Sequence, residues 1–136
     1  MTQATITKHI GDLIITAANA SSFQHLEEVT GSLYIRADAQ LPVLTSVGGY
    51  LDISADGFKV ESLPALKSAH GVEGRLVAVK KWGLWYSTDY KFYAGCQGPL
   101  TKRQAIALSK KWDDQEVAQY FAKVIEAIDE PVEMVE

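Results

Sequence analysis

Cysteine, proline and histidine are all scarce in this chain: one Cys, four Pro and three His among 136 residues. The lone Cys96 cannot close an internal disulfide, which excludes a secreted disulfide scaffold. No apolar run approaches the roughly 20 residues needed for a membrane-spanning helix, so no membrane association is expected. The opening Met1-Thr2-Gln3-Ala4-Thr5 has neither the basic nor the uninterrupted apolar stretch of a signal peptide, and a reducing, cytoplasmic setting is expected. Basic excess is lacking too. Thirteen Lys and Arg stand against seventeen Asp and Glu, for a net charge of −4. Nucleic-acid binders displace counterions with surplus positive charge, so DNA and RNA are not expected partners. Residues 1–80 and 81–136 each carry −2, and neither part is an acidic tail or a DNA mimic.

What is present is an average globular composition, 47% hydrophobic and 22% charged, sufficient for one folded domain with a real core. Within the first 80 residues a short phrase returns: Gly11-Asp12-Leu13-Ile14-Ile15, Gly31-Ser32-Leu33-Tyr34-Ile35 and Gly49-Tyr50-Leu51-Asp52-Ile53, with a degenerate fourth copy at Gly74-Arg75-Leu76-Val77-Ala78. The glycines are 20, 18 and 25 residues apart, and each is expected to allow a bend before a strand. A second phrase precedes the next strand each time, reading Phe23 to Val29, Leu41-Pro42-Val43-Leu44-Thr45-Ser46-Val47 and Leu63-Pro64-Ala65-Leu66-Lys67-Ser68-Ala69. Alternate residues of a strand share a face, so the Leu and Ile of the first phrase point one way and can meet the apolar residues of the second inside a coil. Proline cannot donate to a ladder, which places Pro42 and Pro64 in the return arcs.

The paired phrases resemble irregular bacterial and phage-type leucine-rich repeats and, more distantly, the L domains of growth-factor receptors. The resemblance covers roughly residues 6–80 and implies a short right-handed solenoid with one parallel sheet. An ordinary antiparallel β-protein is the alternative.

After residue 80 the texture changes, with nine of the thirteen aromatic residues lying beyond this point. Leu84–Ser87 and Tyr90–Tyr93, separated by Thr88-Asp89, read as a hairpin that could hide the apolar end of a stack. Two helices follow. Thr101 and Gln104 stand at capping-box spacing ahead of the stripe Ala105, Leu108, Trp112, with Ile106 widening it. The second helix starts at Asp113 or Asp114, with Asp113 and Glu116 as a further possible box. It carries Val117, Tyr120, Phe121, Val124, Ile125 and Ile128, and Pro131 marks its end before a frayed tail at Glu133 and Glu136. The fold expected is α/β: a leucine-rich-repeat-like solenoid over 1–80 and a hairpin-plus-helices cap over 81–136, packed as one globular unit. Phe92-Tyr93-Ala94-Gly95-Cys96 followed by Gly98-Pro99-Leu100-Thr101 resembles the C-terminal module that accompanies such repeats in some prophage-encoded proteins.

Chemistry is thinly represented. Cys96 could act as a nucleophile beside a histidine, yet Gly95, Gln97 and Gly98 supply no adjacent base, and a packed cysteine is the simpler reading. His9, His25 and His70 lack the short spacings by which one element presents metal ligands. Gly48-Gly49 and Gly71 to Gly74 match no phosphate-loop pattern, and Glu27-Glu28 and Asp113-Asp114 diverge as neighbours must. No cofactor, no metal and no catalytic group are expected.

What remains is surface. The residues flanking the inward Leu and Ile face out, and stacking aligns Asp12, Ile14 and Thr16 with Ser32, Tyr34 and Arg36, with Tyr50, Asp52 and Ser54, and with Arg75, Val77 and Val79. Tyr and Arg supply anchoring area and directional hydrogen bonds at protein interfaces. Ile14, Tyr34, Arg36, Tyr50, Asp52 and Arg75 are therefore the candidate partner-binding residues of a non-enzymatic protein-binding module; a solvated sheet face is the alternative. The prophage resemblance implies a host protein as partner and a small inhibitor of a host defence component, such as an anti-CRISPR. Homodimer formation and a Cys96-dependent enzyme are the other readings.

Overall fold

The computed structural model describes residues 6–55, 57–95 and 97–128. It is a mixed α/β protein, with a sheet-rich core and two helices. The chain first alternates between two parallel ladders. One is built from β1 (Lys8–His9), β3 (Glu28–Val29), β5 (Ser46–Val47) and β7 (Ser68–Ala69), the other from β2 (Leu13–Ile15), β4 (Leu33–Ile35) and β6 (Leu51–Ile53). Neighbouring strands in both are parallel and in register with the repeat, so that Leu13, Leu33 and Leu51 stand side by side, as do Ile15, Ile35 and Ile53. One parallel sheet was the expectation. The ladder through β1, β3, β5 and β7 is the additional one, and its strands are two residues each because only the ends of the return phrases, such as Ser46-Val47, pair.

The core lies between the ladders. Leu33, Ile35, Ile53, Leu26, Leu41, Leu44 and Val29 are all fully buried. Removing a Leu or Ile side chain from water stabilises by roughly 1.5–3 kcal/mol, so these stacked rows are the main cohesive force of the repeat part. Pro42 and Pro64 sit in turns of the return arcs, exposed and clear of both ladders.

Two glycine positions act differently from expectation. Gly31 has ordinary backbone angles, and its lack of a side chain matters for stacking: a Cβ there would lie 2.4 Å from the Asp12 Oδ1 and 2.5 Å from the Gly11 carbonyl carbon. The Gly31 N–H instead donates to the Gly11 carbonyl at 3.0 Å, and the Gly49 N–H to the Gly31 carbonyl at 2.9 Å. Gly71 does need its freedom, because it follows His70 in a two-residue loop with φ of 73° and 57°, the pair of positive angles required by a type I′ hairpin.

That loop corrects the reading of the fourth copy. Register pairs Ser68 with Ser46, which makes Gly71, not Gly74, the successor of Gly49, 22 residues on. The position two residues later, filled by Leu13, Leu33 and Leu51 in the earlier copies, is then Glu73. A carboxylate cannot enter the stacked leucine row without a partner, so the chain turns back. The resulting strand β8 (Val72–Ala78) runs antiparallel to β7 and pairs antiparallel with β9 (Leu84–Ser87).

β9, β10 (Phe92–Ala94) and β11 (Gln97–Leu100) complete an eight-stranded sheet that runs through residue 80 without a break, with β9 and β10 forming the expected hairpin. Alternation along these strands serves two cores. Trp85 and Tyr93 join the repeat core, whereas Leu84, Tyr86, Phe92 and Ala94 pack with Ala105, Val117, Phe121 and Ile125 from α1 (Lys102–Ser109) and α2 (Gln115–Ala127). A register shift between Leu76 and Ala78 lets β8 send one residue to each core. The Trp82 carbonyl accepts the Ile53 N–H at 3.1 Å, so the chain entering the cap covers the edge of β6.

The Thr101–Gln104 capping box is present in both directions. Asp114 rather than Asp113 caps α2, accepting the Val117 N–H at 3.1 Å. Pro131, Glu133 and Glu136 lie outside the described residues.

Candidate functional site

The outward face of β2, β4 and β6 carries three cross-strand rows. The central row is Ile14, Tyr34 and Asp52, paired directly in both registers. Ile14 is 54% exposed, while Tyr34 and Asp52 are half-buried by their neighbours.

The second row is held by hydrogen bonds between successive copies. Asp12 Oδ1 accepts the Ser32 N–H at 2.8 Å, and Ser32 Oγ accepts the Tyr50 N–H at 3.0 Å. Short polar side chains thus bridge one repeat to the next just ahead of the strands, where the glycines bring the backbones together. Tyr50 ends this row, 48% exposed.

Arg36 organises the third row. Its guanidinium donates to Ser54 Oγ at 2.7 Å, lies 3.8 Å from an Asp52 carboxylate oxygen and sits 5.5 Å from the centre of the Tyr34 ring. These contacts tie four of the outward side chains, Tyr34, Arg36, Asp52 and Ser54, into one preorganised group. Preorganisation lowers the entropy lost on binding, which favours such a group as a contact surface.

Arg75 does not belong to this face. It lies on β8 opposite Tyr86 of β9, with its guanidinium 5.7 Å from the Tyr86 ring centre, because the fourth copy leaves the parallel ladder. For the same reason Val79 is buried in the core and Val77 is half-buried against the cap, rather than being outward.

An aromatic cluster adjoins the face and was not anticipated. The His70 ring stacks on Tyr93 at 4.8 Å with planes 18° apart, lies 5.8 Å from the Tyr50 ring and 6.3 Å from Trp85. Its Nδ1 is buried with no hydrogen-bond partner among the described residues, and burial lowers its pKa from 6.5 to about 4. His70 is thus neutral at physiological pH and serves as a flat packing group between exposed Tyr50 and buried Tyr93. The signal was available in the repeat register, which puts His70 where Thr30 and Gly48 stand in earlier copies.

His9 Nε2 is 2.8 Å from the Asp12 carbonyl oxygen, His25 is exposed in a return arc, and no group of three His, Cys, Asp or Glu gathers among the described residues. Cys96 lies outside the described residues. No helix among the described residues is long and apolar enough to cross a membrane. Comparison of the chain with protein-family models, with curated proteins and with solved structures gave no match.

Proposed function

We propose that this chain is a non-enzymatic protein-binding module whose contact surface is the outer face of β2, β4 and β6. The observation that carries this reading is the preorganised group on that face: Tyr34, Arg36 and Asp52 locked together, flanked by exposed Ile14 and Tyr50. Underneath, the isoleucine and leucine rows are buried and support the face. The scaffold is a short right-handed solenoid of the leucine-rich-repeat kind. Supporting it are the two ladders visited in alternation and glycines recurring at 20, 18 and 22 residues.

The partner is a host protein and the setting cytoplasmic, with the chain acting as a small phage-encoded inhibitor of a defence component such as a CRISPR effector. The likeness of the repeat phrases to phage-type repeats supports this narrower reading. Affinity capture from a bacterial lysate tests it, comparing the wild-type bait with a Tyr34→Ala, Tyr50→Ala, Asp52→Ala variant of unchanged circular dichroism. A partner held by wild type and lost by the variant is expected. A partner held equally by both removes the sheet face from the proposal.

A second reading, homodimer formation, rests on the edge of the first repeat copy. Among the described residues β1 and β2 each pair on one side only, and Ile6, Ile10 and Ile14 are exposed nearby, with Ile10 at 73%. Light scattering showing only monomer at high concentration dismisses it.

A further inference from the structure

α1 carries a charge pattern foreign to the rest of the chain. Between Tyr90 and Trp112 there are five Lys and Arg and no Asp or Glu, in a protein whose net charge is −4. Four of these cations, Lys102, Arg103, Lys110 and Lys111, lie on α1 or immediately after it.

Arg103, Ile106, Ala107 and Lys110 fall at spacings of three and four and share one helix face. With Lys102 they line a shallow depression of about 460 Å³. Ile106 is half-buried over the cap core and Ala107 is exposed, so the floor is apolar, and the exposed cations Arg103 and Lys110 stand at its ends. At the helical rise those two lie about 10 Å apart along the axis. Lys102 is engaged, donating from Nζ to the Ile128 carbonyl at 2.8 Å and thereby closing the end of α2. The side chains of Arg103, Lys110 and Lys111 have no hydrogen-bond or ion-pair partner among the described residues.

The placement works against the helix. Lys102 and Arg103 occupy the first turn, where the helix dipole disfavours cations, and no acidic residue accompanies them there. The capping box maintains the helix despite them. An anionic partner would turn that local repulsion into attraction.

We propose that this α1 face docks an acidic peptide segment of a partner protein, with carboxylates on Arg103 and Lys110 and an apolar side chain between them on Ile106 and Ala107. In an extended Glu-x-Leu-x-Glu segment the two carboxylates and the leucine between them share one face, and the carboxylates lie about 13 Å apart, within reach of the flexible Arg103 and Lys110 side chains. A nucleic-acid backbone fits less well, because the centre of the depression offers carbon rather than donors and the molecule as a whole is negative. The surface is independent of the sheet face.

Fluorescence anisotropy of the full chain with a short fluorescein-labelled peptide repeating Glu-Ser-Leu-Ser tests the proposal. Binding at low salt is expected, weakened at least tenfold by Arg103→Glu with Lys110→Glu and unchanged by Lys59→Glu with Lys67→Glu, the same charge reversal at exposed positions of the repeat part. If the charge-reversed pair loses helical circular dichroism, Arg103→Gln with Lys110→Gln takes its place under the same expectation. Failure to bind, or equal binding of a Gln-Ser-Leu-Ser peptide or by the Arg103 and Lys110 double variant, overturns the proposal. So does tighter binding of a single-stranded oligothymidylate, which would mark a phosphate surface. A tenfold gain in peptide affinity on removing residues 129–136, themselves rich in acidic and apolar residues, would make the occupant this chain's own segment and likewise overturn it.

Discussion

His70 shows how one side chain can link packing to pH. Unfolded, it titrates near 6.5; folded, burial holds it at about 4. Between these values the unfolded chain binds more protons than the folded one, so stability falls as pH drops from 6.5 to 4 and levels off outside that window. The full shift corresponds to about 3 kcal/mol, and because the half-buried ring keeps contact with water, about 1–2 kcal/mol is the expected loss. His70→Asn, which tolerates the positive φ, is expected to flatten this part of the curve. Urea midpoints at several pH values check it, and an unchanged slope in the variant would sink the idea. Gly31 makes a steric prediction of the same local kind. A methyl group at Gly31 meets the backbone of Gly11 and Asp12 inside 2.8 Å, so Gly31→Ala should destabilise by about 2–3 kcal/mol. Gly57→Ala has open space around it and meets only the cost of its positive φ, about 1 kcal/mol. Equal urea midpoints for the two variants would contradict the close-approach explanation.

The elements differ in what holds them. The strands β2, β4 and β6 are three residues each and would not persist without their neighbours; their stability is a property of the stack. α1 is eight residues long, has cations at its first turn and depends on its cap. Thr101→Ala removes the acceptor for the Gln104 N–H and is expected to cost about 1 kcal/mol, read as a lower thermal midpoint. An unchanged midpoint would mean that tertiary packing alone sets the start of α1. For α2, Lys81 donates to Asp114 Oδ2 at 2.6 Å while Asp114 caps the helix, and that bond with the Val117 N–H holds the carboxyl below its usual pKa. Its contribution is therefore present at neutral pH and lost as acid protonates it.

Across the whole molecule the repeat part and the cap share one sheet that runs through residue 80. Trp85, 1% exposed, belongs to the repeat core while its neighbours Leu84 and Tyr86 belong to the helical one. Trp85→Ala should cost about 3–5 kcal/mol, a large fraction of the stability of a domain this size. A fragment ending at residue 79 loses the Trp82 carbonyl that accepts the Ile53 N–H and the Trp85 and Tyr93 side chains of the repeat core, and it is expected to lack sheet signal in far-ultraviolet circular dichroism or to aggregate. A soluble fragment with a cooperative unfolding transition would show that the repeats fold without their cap.

Most of the repeat architecture is legible in the linear order of residues, because period and alternation are local properties: Leu13, Leu33 and Leu51 announce a buried row, Thr101 with Gln104 a helix start, and Thr88-Asp89 a hairpin. Three repeats of the Gly-x-Leu-x-Ile phrase and the outward positions of Ile14, Tyr34 and Asp52 follow from that periodicity alone. The fourth copy misleads for a physical reason. Gly74-x-Leu76 matches the phrase, but the register is set by Ser68 against Ser46, and the carboxylate of Glu73 then falls where a leucine must be buried. Which glycine continues the stack is a matter of hydrogen bonding between distant residues, invisible in spacing. The same holds for Arg75 leaving the candidate face, for His70 joining Tyr50 and Tyr93, and for Arg103 and Lys110 having no ion-pair partner among the described residues: each depends on what tertiary folding brings within a few ångströms, where contact energies act.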